Sequence, residues 1–250
     1  MSALRVKREG SVLRIALARP ERRNAFDAAL IAELTGAFAD VGDVRAVVLT
    51  GDGPSFSAGA DVEWMRSSAE LSYEENVADA LRLRAMLDAI DSCPAPVVAG
   101  VQGHVLGGGC GLVACCDIVV AESGTQFAFS EVKLGIVPAV ISPFALAKIG
   151  SSAARRYFVT GERFSAEVAL RIGLVHELAD ELASAVDRVV GELLSAGPEA
   201  ARAAKALARA PLSAQETAEH IATHRTSAEG QEGLRAFLEK RAPGWTALDG

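Results

Sequence analysis

The sequence predicts an α/β fold. Short β-branched runs, such as residues 44–49 and 97–101, are separated by stretches whose apolar residues recur at helical spacing. The 250 residues are 50% hydrophobic and 23% charged, which suits a folded chain able to bury a core without metal or disulfide staples. Strands alternating with helices build a sheet that helices cover.

The elements follow in order. Leu4 and Val6 alternate with charged residues, Glu9-Gly10 turns the chain, and Leu13, Ile15 and Leu17 alternate again, so a β-hairpin precedes Arg19-Pro20. Across residues 28–41, Leu30, Ile31, Leu34 and Phe38 fall on one helical face. Residues 44–49 read as a buried strand, and Gly51-Asp52-Gly53-Pro54 as a loop. A helix over 75–91 aligns Ala80, Leu83, Leu87 and Ile90 and stops at Cys93-Pro94-Ala95-Pro96. The strand 97–101 comes next, then a glycine cluster, an apolar helix over 109–116, and short strands at 118–121 and 126–129. Beyond Ser142 the chain is rich in Ala, Leu, Arg and Glu, and Ser213 with Glu216 marks a capping box at a helix start. Residues 1–195 are expected to form the core, and residues 196–250 a helical region appended to it.

Composition excludes several classes. Twenty-five Lys and Arg against 32 Asp and Glu give −7, with no basic segregation, so no nucleic-acid partner is expected. The apolar and glycine run 105–116 is closed by Asp117 and is shorter than the roughly 18 residues a membrane span needs. The basic N-terminus leads into alternating residues where a signal-peptide core would lie, so a cytoplasmic protein is expected. Cys93, Cys110, Cys115 and Cys116 stand in apolar surroundings, as reduced core thiols do. His220 and His224 lie four apart, but Ile221 follows the first where a zinc protease needs glutamate, so no metal is expected. His104 and His176 read as hydrogen-bonded structural residues. No Gly-Lys-Ser/Thr is present, Leu112 breaks a Gly-x-Gly-x-x-Gly spacing, and no Gly-x-Ser-x-Gly elbow exists.

Two glycine-containing loops remain, Phe56-Ser57-Ala58-Gly59-Ala60-Asp61 and Gly103-His104-Val105-Leu106-Gly107-Gly108-Gly109-Cys110. Each follows a predicted strand. Their glycines either allow close packing of strand and helix or let backbone N–H groups converge on a ligand, one of them at the start of a helix. Two such donors aimed at one carbonyl oxygen form an oxyanion hole.

These loops join other segments: Pro20-Glu21-Arg22-Arg23-Asn24-Ala25-Phe26, the stretch 96–117, the stretch 129–138, Thr160-Gly161-Glu162-Arg163-Phe164-Ser165-Ala166, and the tail 232–241. Together, and in this order, they resemble the enoyl-CoA hydratase/isomerase, or crotonase, family over nearly the whole chain. The resemblance implies a spiral of strand-strand-helix units with a C-terminal helical region that builds homotrimers or hexamers. It implies an acyl-CoA thioester substrate and no separate cofactor. Ala60 and Gly108 would supply the N–H groups that hold the thioester oxygen. Arg22, Ala58, Asp61, Val62, Gly107 and Gly111 lie where the family binds its substrate, and Phe237 and Lys240 resemble residues that reach the CoA of a neighbouring subunit.

The family's hydratases generally use two glutamates. Glu131 matches the later one and is the expected catalytic acid/base, while Gly111 stands where the earlier one belongs. Glu131, flanked by Phe129 and Val132, is either a carboxyl held partly protonated in an apolar pocket or a partner of Lys133. Residues 130–135, residues 138–144, Ala153-Ala154-Arg155-Arg156-Tyr157 and the stretch 111–117 look like the bacterial methylglutaconyl-CoA hydratase branch, which implies a role in leucine catabolism. The implied activity is hydration of a 2-enoyl-CoA, of methylglutaconyl or other branched type. A Δ3,Δ2-enoyl-CoA isomerase using one glutamate is the alternative, and a non-catalytic acyl-CoA-binding protein the second. Pocket depth depends on how residues such as Trp64, Met65, Met86 and Phe144 are arranged, and by default these read as core or lid packing.

Overall fold

The structure is a computed structural model and describes residues 2–209 and 211–249. It opens with β1 (Leu4–Glu9) and β2 (Val12–Leu17), the expected antiparallel hairpin. The chain then runs through α1 (Ala28–Ala39), β3 (Ala46–Gly51), α2 (Val62–Ser68), α3 (Tyr73–Asp91), β4 (Val97–Val101), β5 (His104–Leu106), α4 (Gly108–Cys115), β6 (Ile118–Glu122) and β7 (Gln126–Ala128). It continues with α5 (Ser142–Thr160), β8 (Phe164–Ser165), α6 (Ala166–Arg171), β9 (Glu177–Ala179), α7 (Leu182–Ser195), α8 (Pro198–Leu207), α9 (Ala214–Thr226) and α10 (Ala228–Glu239).

The larger sheet has the order β1-β2-β3-β4-β6-β9, parallel from β2 onward. Parallel neighbours need crossovers, and the helices between the strands supply them. β5, β7 and β8 form a second, smaller sheet, which Ser57 extends by a bridge to Val105. A long strand for one sheet and a short strand for the other, followed by a helix, recur along the chain as a spiral.

Both faces of the larger sheet are covered, which is why its central strands read as continuous valine-rich runs. Ile15, Leu17, Val47, Leu49 and Val101 face the main core, and Val12, Val48, Val98 and Val120 pack on Val186 and Val190 of α7. β1 is an edge strand. Only its Leu4 end is covered, and Val6 is 51% exposed, so the alternation read there does not translate into a buried face.

Asp27 caps α1, and a complete capping box between Ser72 and Glu75 starts α3 earlier than its apolar spacing suggests. The box anticipated at Ser213 and Glu216 opens α9. α8 is tied to the core: Lys205 Nζ lies 2.7 Å from Asp117 Oδ2, and Arg202 Nη2 donates to Val44 O at 3.1 Å. His176 Nδ1 accepts the N–H of Val119 at 3.0 Å, a structural role. The four cysteines are free and buried, and burial pushes the Cys116 thiol up to about 12. Among the described residues, no helix is long and apolar enough to cross a membrane.

Candidate active site

The run from Pro20 to Phe26 works as a clamp. Asn24 is buried in a left-handed conformation with φ 53°, and its Nδ2 donates to Asp52 O and Ser55 O, both at 2.9 Å. Its Oδ1 accepts the N–H of Arg19, also at 2.9 Å. Ser57 Oγ donates to Asn24 O, and the N–H of Ala58 donates to Arg23 O. These bonds fix the loop after β3.

That loop is then drawn against the loop before α4. Ser57 N donates to His104 O at 3.1 Å, and Leu106 N donates to Ser57 O at 3.0 Å. Gly59 has φ 88°, and a β-carbon there would lie 2.9 Å from Leu106 O, so neither the conformation nor the space admits a side chain. On its other side the loop pairs with Phe26: Phe26 N donates to Gly59 O at 2.7 Å and Asp61 N to Phe26 O at 2.8 Å. In this parallel bridge the groups flanking Ala60 make the bonds. The N–H of Ala60 itself is left pointing the other way.

Gly108 opens α4, where the first N–H groups have no partner within the helix and carry its positive dipole end. A β-carbon on Gly108 would lie 3.0 Å from Cε2 of Phe26. Phe26 therefore touches both halves of the arrangement. Ala58, Gly59, Ala60, Gly107 and Gly108 line a cavity of about 310 Å³.

Glu131 reaches the same cavity from a 3-10 turn, Glu131–Leu134, that follows β7. Its Oε1 lies 3.3 Å from where a β-carbon of Gly107 would be, and its Oε2 is buried with no hydrogen-bond partner among the described residues. Burial raises the Glu131 carboxyl above the ordinary glutamate range. Lys133 is exposed, and no ion pair to Glu131 occurs among the described residues. Two main-chain donors and a desolvated carboxyl in one cavity can polarise a carbonyl and move a proton beside it.

Gly111 stands one turn further along α4 and is buried. A β-carbon there would lie 2.5 Å from Ile141 Cγ2 and 3.7 Å from Leu87 Cδ2. Ile141 lines the cavity and Gly111 does not. Of the four residues weighed for pocket depth, Trp64 and Met65 line it, while Met86 and Phe144 are core residues, Phe144 lying under Arg84, whose Cζ is 4.8 Å from the ring centroid. α3 adds Asn76, Asp79 and Leu83 to the wall. Asp79 Oδ1 accepts from Arg82 Nη2 at 2.8 Å.

Outside the cavity, Arg22 Nη1 donates to Asp61 Oδ2 at 3.0 Å, and Asp61 Oδ1 caps α2 through the N–H of Glu63 at 2.9 Å. Burial works to raise the Asp61 carboxyl, but Arg22 and the cap outweigh it and hold it below the usual range. Val62 is exposed beside them. Phe237 and Lys240 lie on and just after α10, both exposed, and neither lines the cavity of its own chain.

The sequence pattern of the enoyl-CoA hydratase/isomerase family matches residues 7–247. The chain belongs to that family. It is 33% identical to the crotonyl-CoA hydratase of Syntrophomonas wolfei over 89% of this chain and 90% of that one. It is 34% identical to the 2,3-dehydroadipyl-CoA hydratase of Escherichia coli over 97% of this chain and 98% of that one. A crystal structure of an enoyl-CoA hydratase from Shewanella pealeana superposes with a TM-score of 0.91 at 39% identity, covering 97% of this chain and 96% of that one. These likenesses make the spiral a crotonase fold.

Gly111 is the position where the sequence reading expects the missing acid of a two-glutamate site. The glycine leaves no open space, because Ile141 occupies what a side chain would fill. Sequence reading found Ala58, Ala60, Gly107, Gly108 and Glu131, which the fold brings together. It missed Phe26 as the shared wall, Asp79 on α3, and the closure of Gly111 by Ile141. Asp79 carries a signal, an acid beside Ala80 and Leu83 on the buried face of α3; the Ile141 contact has none, since α4 and the start of α5 meet only in the folded chain.

Proposed function

We propose that this chain hydrates 2-enoyl-CoA thioesters, with Glu131 as its acid/base and the N–H groups of Ala60 and Gly108 as the oxyanion hole. The observation that carries the reading is the desolvated Glu131 carboxyl facing the cavity those two loops line. In the proposed step, Glu131 takes a proton from water as the water oxygen bonds to C3. The C2–C3 π electrons move toward the thioester, and negative charge collects on its oxygen, where the two donors stabilise it more than they do the ground-state carbonyl. Glu131 then returns the proton to C2. Each donor is worth about 3–4 kcal/mol of barrier.

Arg22, with Asp61 and Val62 beside it, stands at the outer edge of the loop and suits the phosphate-bearing part of CoA. A homotrimer, or a pair of trimers, goes with this reading: Leu234, Phe237 and Leu238 leave an apolar strip of α10 exposed, and Phe237 is 81% exposed. In such an assembly Phe237 and Lys240 would serve a neighbour's site.

The acyl group is of one of two kinds. The motif likeness to methylglutaconyl-CoA hydratases and the name of the Escherichia coli relative favour a chain ending in carboxylate; the name of the Syntrophomonas wolfei relative favours a neutral one.

One observation favours a second reaction. Ile141 lies where a side chain at position 111 would begin, so that position holds no second carboxylate without Ile141 moving. Shuttling one proton between C4 and C2 needs none, so Δ3,Δ2-isomerisation is the second reading. Loss of the conjugated thioester absorbance of crotonyl-CoA, abolished by Glu131→Gln, supports hydration. Inert crotonyl-CoA together with conversion of 3-hexenoyl-CoA to its 2-enoyl isomer would replace it with isomerisation. Acyl-CoA binding without either turnover would leave a binding protein.

A further inference from the structure

The cavity carries a charge that the proton transfer leaves idle. Asp79 is 9% exposed and lines the same cavity as Glu131. Its partner Arg82 has a side chain 60% exposed and is not part of the wall, so it offsets the aspartate from outside. Among the described residues that line the cavity, there is no Lys, Arg or His; the ionisable side chains are Asp79 and Glu131. On α3 the wall beside Asp79 is made by Asn76, Ala80 and Leu83; Asn76 is uncharged, and its Nδ2 already donates to Leu71 O and Ser72 O.

We infer that Asp79 makes this site selective for 2-enoyl-CoA thioesters with an uncharged acyl chain and turns away chains that end in a carboxylate. The inference rests on the hydratase reading. With the thioester oxygen on Ala60 and Gly108, the acyl chain has the rest of the cavity to fill, and α3 walls it. A terminal carboxylate entering there would leave water, meet no cation in the wall, and face Glu131 and the acidic end of the Asp79–Arg82 pair, whose cation lies behind it. A methyl group in the same place loses no hydration and packs on Leu83 and Trp64.

Matched substrates test this. 2-Hexenoyl-CoA and 2,3-dehydroadipyl-CoA have chains of equal length and differ in the terminal carboxylate. The neutral thioester should be favoured at least about tenfold in kcat/KM. Asp79→Asn keeps the shape, removes the charge, and should narrow the ratio. Arg82→Gln strips the countercharge at an exposed position and should widen it, a readout that does not depend on Asp79→Asn folding. A dehydroadipyl-CoA rate equal to or above the hexenoyl-CoA rate would overturn the selectivity. Ratios unmoved in both variants would overturn its assignment to Asp79. If the wild type hydrates neither thioester, the hydratase reading falls and the inference falls with it.

Discussion

A β-carbon on Gly111 would stand 2.5 Å from Cγ2 of Ile141 and 3.1 Å from its Cβ. The glycine is therefore a packing requirement of the α4 and α5 contact, apart from any chemistry it displaces. Gly111→Ala should destabilise the fold by about 1–3 kcal/mol through overpacking. Ile141→Ala should cost about 2–5 kcal/mol by opening a hole. In urea denaturation the double variant should lose less than the sum, since each change relieves the other; strictly additive losses would rule out the contact.

Glu131 should trade stability for activity. Burial raises its carboxyl above the ordinary range, so it favours the folded state below about pH 4.3, where it is protonated folded or unfolded. That contribution is lost as pH rises through the native pKa, and at neutral pH the buried charge weighs against folding. Glu131→Gln should accordingly raise Tm at pH 7 while cutting kcat about 10²–10⁴-fold. For the wild type, kcat/KM should fall on the acid side at a pH above the ordinary glutamate range, and Glu131→Gln should lack that limb.

Gly59 holds the two loops together. Gly59→Ala should destabilise by about 1–3 kcal/mol, because it strains a positive φ and pushes against Leu106 O. It should also lower kcat more than it raises KM, since separating the loops spoils donor geometry for the oxyanion first. Equal effects on both constants would argue against that role.

Legibility followed sequence distance. The Val97–Val101 strand stands where its β-branched run marks it, and α1 and α3 follow their apolar spacing to within a few residues. α2 was not marked, because its apolar residues Val62, Trp64 and Met65 have no helical period to show. Of the smaller sheet only β7 shows in the sequence; β5 and β8 are three and two residues long, and pairing makes them strands, not composition. The site divides the same way. Glycines and a carboxylate announce themselves in a sequence, but the Ile141 contact and the inward turn of Asp79 exist only once α3, α4 and α5 pack.

Arg22 offers a way to separate binding of the nucleotide end from chemistry. Arg22→Ala should raise KM for an acyl-CoA about tenfold or less, as expected for one exposed charge contact, and leave kcat near the wild-type value. With the matching acyl-pantetheine thioester, which lacks the nucleotide phosphates, KM should not move. A KM change for both thioesters would place the effect in the loop, through Asp61, and not in phosphate recognition.

The exposed strip on α10 should be covered in solution. Sedimentation should give a trimer or hexamer for the wild type, and Phe237→Asp should shift it toward smaller species. A wild type that sediments as a monomer would remove the neighbour's-site role of Phe237 and Lys240.

The bridge from Phe26 to the groups flanking Ala60 has a consequence for how such a protein drifts over generations. The donor it frees belongs to the main chain, so a substitution at position 60 changes the side chain and leaves the N–H in place. Random point changes reach the groups that move protons far more easily than those that grip the carbonyl. A lineage built this way can exchange its proton-moving side chains and still inherit the main-chain donor at position 60 while a new reaction is tried.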